Sequence, residues 1–321
     1  MKLAAVVLNY RTSDLTIDCL QSLVGEVEQL PELQVIVTDN DSGDGSVEKI
    51  QTTIDAGGWQ AWASVMPLER NGGYAFGNNA AIRPLLESPE PPEYVILLNP
   101  DTVVRSGAFK TLVDFMETRK EVGIAGSRLE EPDGTPQRSA FRFHSILSQL
   151  DGGLRLGVVS KILDKWVVAP PVPEENCQTD WVPGACMIIR RAVFEEIGLL
   201  DEGYFMYFED GDFCLRAKRA GWDCWYVPES RVVHLVGQSS GVTDTKRPAK
   251  RRPQYWFDAR RRFFIKNYGY AYAMVADLVW IVGFSLWRLR RVVQSKPDTD
   301  PPNFLMDSIR NSVLLKGGLA N

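Results

Sequence analysis

Residues 94–101 read Tyr-Val-Ile-Leu-Leu-Asn-Pro-Asp, and this run restricts the fold more than any other segment. Five apolar residues without helical period end abruptly at Asn99-Pro100-Asp101. The run is much shorter than the roughly 20 residues of a membrane span. It reads as a strand buried on both faces, as in a parallel sheet. Pro100 has no N–H for a sheet ladder, so the strand stops there. Asp101 is then held at the carboxyl end of a central strand, the edge where open α/β sheets bind ligands. A carboxylate in that place suits a hard divalent cation carrying a phosphorylated substrate.

The flanking sequence supplies the rest of such a sheet. Strand signals at 3–8, 33–38, 61–66 and 94–98 alternate with helix signals at 13–24, 46–54 and 74–86, with Ser13 and Ser46 as expected N-caps. The alternation predicts right-handed βαβ units. A helix at 106–118 and a strand at 122–127 follow. Beyond Pro170, Pro171 and Pro173, read as a stiff linker, strands are expected at 181–189 and 222–227 and a helix at 210–220, closed by Gly221. Residues 237–253 are polar and basic without periodicity, which predicts a mobile loop. Helices are expected at 254–267 and 271–292. The tail from Lys296 is expected to be poorly ordered except for a short helix near 304–315.

Composition narrows the function classes. With 36 basic and 41 acidic residues the net charge is −5, which offers no general argument for nucleic-acid binding. Five cysteines form no Cys-x-x-Cys pair and no zinc spacing, so reduced thiols in a cytosolic protein are expected. Asn9-Tyr10-Arg11 interrupts the first apolar run before a signal-peptide core can form. Residues 271–287 are apolar apart from Asp277, and Arg288, Arg290 and Arg291 follow. A buried helix and a membrane-surface helix both fit that pattern, and the run is short for a span.

Four further segments carry candidate chemistry. Asn9, Tyr10 and Arg11 end the first strand; they could stack a base and bind a phosphate, or simply cap a helix. Asp39-Asn40-Asp41-Ser42-Gly43-Asp44 ends the second, where a carboxylate can accept from a base or ribose. An Asx-rich turn is the alternative, and calcium-loop spacing fails at Gly43 and Ile50. Asn71-Gly72-Gly73 opens a helix whose N-terminus favours an anion, without a dinucleotide or Walker fingerprint. Glu209-Asp210-Gly211-Asp212 follows an aromatic stretch and starts a helix. The helix dipole stabilises a carboxylate there, while burial and neighbouring acids raise its pKa, the compromise a general base needs. A well-capped helix is the alternative. His234 follows a strand and is either structural or a metal partner of Asp101. The basic residues from Lys246 through Lys266 suggest a solvated face or attraction to diphosphates and anionic lipid.

Taken in order, Val-Val-Leu-Asn-Tyr-Arg, Val-Thr-Asp-Asn-Asp-Ser, Asn-Gly-Gly-Tyr-Ala-Phe-Gly-Asn-Asn, Leu-Leu-Asn-Pro-Asp and Tyr-Phe-Glu-Asp-Gly-Asp-Phe-Cys-Leu-Arg resemble glycosyltransferase family 2, especially its rhamnosyltransferase-like bacterial members. The resemblance runs from Lys2 to about Gly269. It implies the GT-A fold, an α/β sandwich with a mainly parallel central sheet flanked by helices. The GT-A domain would span 1–268, with a nucleotide-sugar half at 1–127 and an acceptor and catalytic half at 128–268. A C-terminal apolar and basic helix at 269–295 and a tail at 296–321 would follow.

The resemblance also implies roles. Asn9, Tyr10, Arg11, Asp39, Asn71, Gly73, Asn79, Asn99 and Asp101 would bind the nucleotide-diphospho-sugar. Asp101 and His234 would hold Mg or Mn. Trp181, Gly184, Ala185 and Glu209 would face the acceptor, and Asp210 would be the base of an inverting transfer. The partners implied are a nucleotide-sugar donor, a glycan or lipid-linked sugar acceptor and an anionic membrane surface, with no nucleic acid. The location implied is cytoplasmic, peripheral at the inner membrane face. The loop at 237–253 would close over the donor. Asn99 departs from the family pattern, standing where many relatives place the first Asp of an Asp-x-Asp motif. A catalytically silent nucleotide-sugar-binding protein is one alternative. A sugar nucleotidyltransferase is another, weakened because no Gly-rich loop follows the first strand.

Overall fold

The structure is a computed structural model describing residues 2–235 and 249–318. Most of the expected closing loop, including Lys246 and Arg247, lies outside the described residues. The described chain divides into two compact units. One comprises residues 2–141, 171–205 and 209–235; the other comprises 142–170, 206–208 and 249–318.

The first unit is built on one sheet. Its strands are β1 (Leu3–Asn9), β2 (Leu33–Asp39), β3 (Ala63–Pro67), β4 (Tyr94–Leu98), β5 (Thr102–Val104), β6 (Val122–Glu130), β7 (Cys177–Thr179), β8 (Cys186–Arg190) and β9 (Asp223–His234). The order is β3-β2-β1-β4-β8-β6-β9-β5, with β7 beside β9. The first four strands are parallel, as the alternating pattern predicts, and β6 pairs with β9 in parallel. Strand β8 enters antiparallel between β4 and β6, and β5 and β7 are antiparallel to β9. Helices α1 (Ser13–Gln29), α2 (Ser46–Gly57), α3 (Gly73–Glu87) and α4 (Ala108–Thr118) follow the early strands. Alternate β1 residues serve opposite faces. Leu3, Ala5 and Val7 join the core of Cys19, Leu20 and Leu23 from α1 and Phe109 and Leu112 from α4. Leu8 meets α3, where a Cβ on Gly77 would lie 2.3 Å from its Cδ1. All five β4 residues are buried, as a strand covered on both faces requires.

Local chemistry overrode several expectations. Neither Ser13 nor Ser46 is an N-cap: Thr12 and Gly45 hold those positions, without a side-chain cap bond. Residues 181–185 are not strand, because Pro183-Gly184 interrupts the run and regular pairing begins at Cys186. Strand β9 continues through Pro228 to His234, since the ladder shifts register between Val227 and Arg231 and leaves the proline unpaired. Helices α7 (Arg191–Ile197) and α8 (Glu209–Arg219) complete this unit.

The second unit is helical: α5 (Ile146–Leu154), α6 (Gly157–Ile162), α9 (Gln254–Tyr268), α10 (Tyr270–Val293), α11 (Phe304–Arg310) and α12 (Val313–Lys316). Helices α5 and α10 cross at two glycines: a Cβ on Gly153 would lie 3.0 Å from the Trp280 carbonyl, and one on Gly283 would lie 3.1 Å from the Leu154 nitrogen. Asp277, the polar exception in the apolar run, is buried, paired with Arg260, and accepts from Val313 N at 2.6 Å. His144 packs against Phe208 and Phe263, and burial lowers its pKa to about 4, a structural histidine. The short helix expected near 304–315 is present as two, α11 and α12. Arg251 grips Asp307 with two bonds of 2.7 and 2.8 Å, and Phe304 stacks edge-on against Trp256 and Trp280. Helix α10 has 24 residues, so it is long and apolar enough to cross a membrane, unlike the shorter apolar run read from sequence.

Candidate active site

The parallel strands end together, and their registers bring the polar termini onto one edge. Asn9 stands opposite Asp39, and Leu98 opposite Cys186, so Asn99 and Ala185 meet: Asn99 N donates to the Ala185 carbonyl at 3.0 Å. His234 stands opposite Thr102. An edge built this way has its polar groups placed by sheet hydrogen bonds, which is why it is precise.

At the β1–β2 end the polar groups bind one another. Asp39, 2% exposed, accepts from Asn9 Nδ2 at 2.5 Å, from Ser42 Oγ at 2.7 Å and from Ser42 N at 2.9 Å. Ser42 in turn accepts from Arg11, N to Oγ at 2.9 Å and Nε to carbonyl at 3.0 Å. Arg11 has a left-handed φ of 57°, and its guanidinium lies over the Tyr10 ring at 5.2 Å. Asn9 and Asp39 are therefore the buried frame, while Tyr10 and Arg11 form its exposed surface.

Asn40 ties this frame to the glycine loop. It donates to Asn71 Oδ1 at 3.0 Å and to the Gly73 carbonyl at 3.1 Å. Gly73 has φ +87°, and a Cβ there would lie 2.0 Å from the Phe205 carbonyl, so no other residue fits without displacing backbone. Asn79, on the inner face of α3, is spent on a neighbouring loop: it donates to Leu200 O at 2.8 Å and Glu202 Oε1 at 2.9 Å and accepts from Leu200 N at 3.1 Å.

Tyr74 links the glycine loop to the 181–185 segment. Its hydroxyl donates to the Gly184 carbonyl at 2.8 Å, and a Cβ on Gly184 would lie 2.2 Å from that oxygen. Burial, then the charges of Asp210 and Glu209, raise the Tyr74 pKa well above its ordinary value, so it remains a donor. Gly184 N donates to Asp210 Oδ2 at 3.4 Å, and Gly211 N to Asp210 Oδ1 at 2.8 Å. Burial pushes the Asp210 carboxyl above the usual aspartate range, and these two N–H groups oppose the shift. Trp181 stacks on Phe141 with centroids 4.4 Å apart, which holds the start of the segment.

The three acids of α8 have different surroundings. Asp212 is buried and accepts from Tyr204 Oη and Arg216 Nε, both at 3.1 Å, while Arg216 also donates to the Ile197 and Leu199 carbonyls. It anchors α8. Glu209 is buried, and Asp210 is partly exposed.

Asp101 and His234 are brought together, with Asp101 Oδ1 3.5 Å from His234 Nε2 and Asn99 Nδ2 3.4 Å from the same nitrogen. Thr102 Oγ1 donates to the Asn99 carbonyl at 2.7 Å, which pins the turn. Among the described residues no third His, Cys, Asp or Glu completes a metal cluster. One buried carboxylate, one imidazole and one neutral amide still fit a Mg or Mn ion that takes its other ligands from phosphates and water.

Every quoted motif thus joins one network, through Asn40, Tyr74 and the Gly184-Ala185 peptide groups. Ser42, Asn40 and Tyr74 join the motifs through bonds that the sequence does not signal. Their only signal was position inside the motifs.

Comparison with known proteins identifies the family and the fold. A family model described as Glycosyltransferase like family 2 matches residues 2–255. The chain is 30% identical over 222 residues, 65% of its length and 68% of the relative's, to the N-acetylglucosaminyl-diphospho-decaprenol L-rhamnosyltransferase of Mycobacterium tuberculosis. It is 29% identical over 170 residues, 51% of its length and 62% of the relative's, to Rhamnosyltransferase WbbL of Escherichia coli. Among solved structures, mannosyltransferase PcManGT of Pyrobaculum calidifontis, in complex with GDP-Man and Mn2+, aligns with a TM-score of 0.59 at 12% identity, covering 98% of this chain and 81% of that one. GalNAc-T7 with UDP, GalNAc and Mn2+ aligns with a TM-score of 0.62 at 15% identity, covering 97% and 57%. At such identities the structures share the fold alone, and that fold is GT-A. The chain belongs to glycosyltransferase family 2 and is similar to rhamnosyltransferases.

Proposed function

We propose that the enzyme transfers L-rhamnose from dTDP-rhamnose to a hydroxyl of a polyprenyl-diphosphate-linked sugar, with inversion. The observation that carries the reading is the hydrogen-bonded path from Tyr74 through Gly184 to Asp210, which sets a carboxylate of raised pKa beside the acceptor-side segment. Asp210 takes the proton from the acceptor hydroxyl. The hydroxyl oxygen forms a bond to the anomeric carbon as the bond to the nucleoside diphosphate breaks, from opposite faces, so one displacement inverts the centre. The donor's nucleoside end lies along Tyr10 and Arg11, over the buried Asn9–Asp39 frame, and its sugar end along Asn71 and Gly73, while Asn79 holds the neighbouring 200–202 loop. Trp181, Gly184, Ala185 and Glu209 face the acceptor.

Asp101, His234 and Asn99 would hold a divalent metal, Mg or Mn. When bound, it neutralises charge on the leaving diphosphate. Donor and acceptor classes follow the names of the relatives, among which the M. tuberculosis and E. coli enzymes are rhamnosyltransferases. A lipid-linked acceptor places the enzyme in the cytoplasm, peripheral at the inner membrane face.

A donor screen tests this reading. Purified enzyme with Mg or Mn and a polyprenyl-diphosphate sugar should turn over dTDP-rhamnose about 100-fold faster than UDP- or GDP-sugars, since a polar specificity site rejects mismatched donors by such factors. Preference for a UDP- or GDP-sugar would remove the donor assignment.

Tyr74→Phe probes the path itself. Without the hydroxyl, the 184 segment loosens and Asp210 loses part of its Gly184 N–H bond, so its pKa rises further. The acid limb of the pH–rate profile should move to higher pH, with kcat lowered about tenfold. An unmoved limb would show that Tyr74 only fills space.

A further inference from the structure

Of seventeen large apolar side chains exposed on the described surface, all but Tyr10 and Phe205 belong to the helical unit. Between Ala271 and Val293 of α10, every exposed position is apolar: Ala271, Val275, Leu278, Val282, Leu286, Leu289, Val292 and Val293. Apart from Val292 they recur at three- and four-residue spacing and so form one stripe. A second patch follows α5, where Val158 (64% exposed), Ile162 (74%) and Trp166 (40%) lie four residues apart beside the exposed Lys161 and Lys165. Arg290, between Leu289 and Val293, donates to the carbonyls of Leu154 and Arg155 at 2.8 Å and joins the start of that segment to the end of α10. Leu314 and Leu315 beside Lys316 add a third patch.

Charge identifies the partner. The described residues of this unit carry seventeen Lys and Arg against seven Asp and Glu, a net charge of +10, in a chain whose net charge is −5. An anionic apolar surface complements both features. A second copy does not, because two surfaces of that charge repel.

We infer that the α10 stripe, with the Val158-Ile162-Trp166 patch, docks the enzyme onto an anionic lipid surface, with α10 lying in the interface rather than crossing it. This deepens the membrane partner proposed above and rests on that reading. Crossing is opposed by the other face of α10, which holds the Asp277–Arg260 pair, the glycine crossing with α5 and the Trp280–Phe304 contact. Pulling α10 into lipid would strip that unit of its core and bury a charge. The structure also reassigns the source of charge. Arg288 and Arg291 are paired with Asp298 at 2.7 and 3.2 Å, so Lys161, Lys165 and Lys316 are better placed to meet headgroups than the arginine run itself.

Flotation of the full chain with phosphatidylglycerol–phosphatidylcholine vesicles tests the inference, against phosphatidylcholine alone. Binding should be at least about 30-fold stronger to the anionic vesicles and should weaken in high salt. Leu278→Ser/Val282→Ser/Leu286→Ser should lower binding about tenfold or more. Lys161→Gln/Lys165→Gln should lower it about fivefold per lysine. Both variants should keep the wild-type circular dichroism and turnover on a short soluble acceptor. Alkaline carbonate should release the bound enzyme. Equal binding to both vesicle types, indifference to both variants, carbonate resistance, or a dimer in light scattering that the triple substitution dissolves would each overturn the inference. Wild-type enzyme that fails to bind anionic vesicles yet transfers to a soluble acceptor removes only the docking surface. Absence of transfer with every donor would instead remove the enzymatic reading.

Discussion

Asp210→Asn lowers transfer by about 10³-fold, the scale of a lost general base, while nucleotide affinity stays within about threefold, because the proposed role of Asp210 is toward the acceptor hydroxyl and not the nucleotide. Rate and calorimetric binding measurements on the same preparation check both halves. Turnover within tenfold of wild type would remove Asp210 from the mechanism. The same substitution has a stability signature. Burial raises the Asp210 pKa in the folded state above its unfolded value, so the folded protein binds that proton more tightly. The associated stabilisation is full below the unfolded pKa and is lost as pH rises through the folded pKa. At neutral pH that stabilisation is reduced, and Asn, which carries no charge to bury and keeps one acceptor for Gly211 N while giving up the longer Gly184 N bond, should raise the denaturation midpoint. That gain should vanish in acid. A variant less stable at neutral pH would contradict the burial argument.

Asp101→Asn is the second large effect. It removes the one carboxylate at the strand tip and leaves two neutral amides, at 99 and 101, beside His234. The expected loss in kcat/KM is on the order of 10²–10³-fold, the weight of charge stabilisation at a leaving diphosphate. Nucleoside-diphosphate binding in the presence of Mn should weaken at least about tenfold, and the two proteins should converge when metal is chelated. Wild-type activity that survives chelation unchanged would show that the Asp101–His234 pair, 3.5 Å apart, is structural.

How much of this was legible beforehand varied by segment. The β4 run, bounded by Asn-Pro-Asp, was read to the residue because a doubly buried strand and a proline stop are local properties. The first four strands and three helices are legible for the same reason, with most ends a few residues longer in the fold and β3 starting two residues later than expected. Strand β9 was read to stop at Val227, because the bulge that accommodates Pro228 exists only through its pairing with β6. The basic stretch looked like one surface. In the fold Arg251, Arg260 and Arg261 are committed to Asp307, Asp277 and Asp258, partners that distance or helical geometry supplies.

The sequence by itself determined which segments bring polar residues to the ends of the strands, since short motifs encode turn geometry, strand ends and charge within a few residues. Only the tertiary structure decided what each does. It made Asp212 an anchor for α8, spent Asn79 on Leu200 and Glu202, and set His234 beside Asp101 through the antiparallel β5–β9 pair. It also joined Tyr74 to Asp210 across 136 residues of chain by way of Gly184. The physical reason is that a side chain's charge and size are local, whereas its hydrogen-bond partners, burial and pKa come from residues that meet only when the sheet edge is assembled.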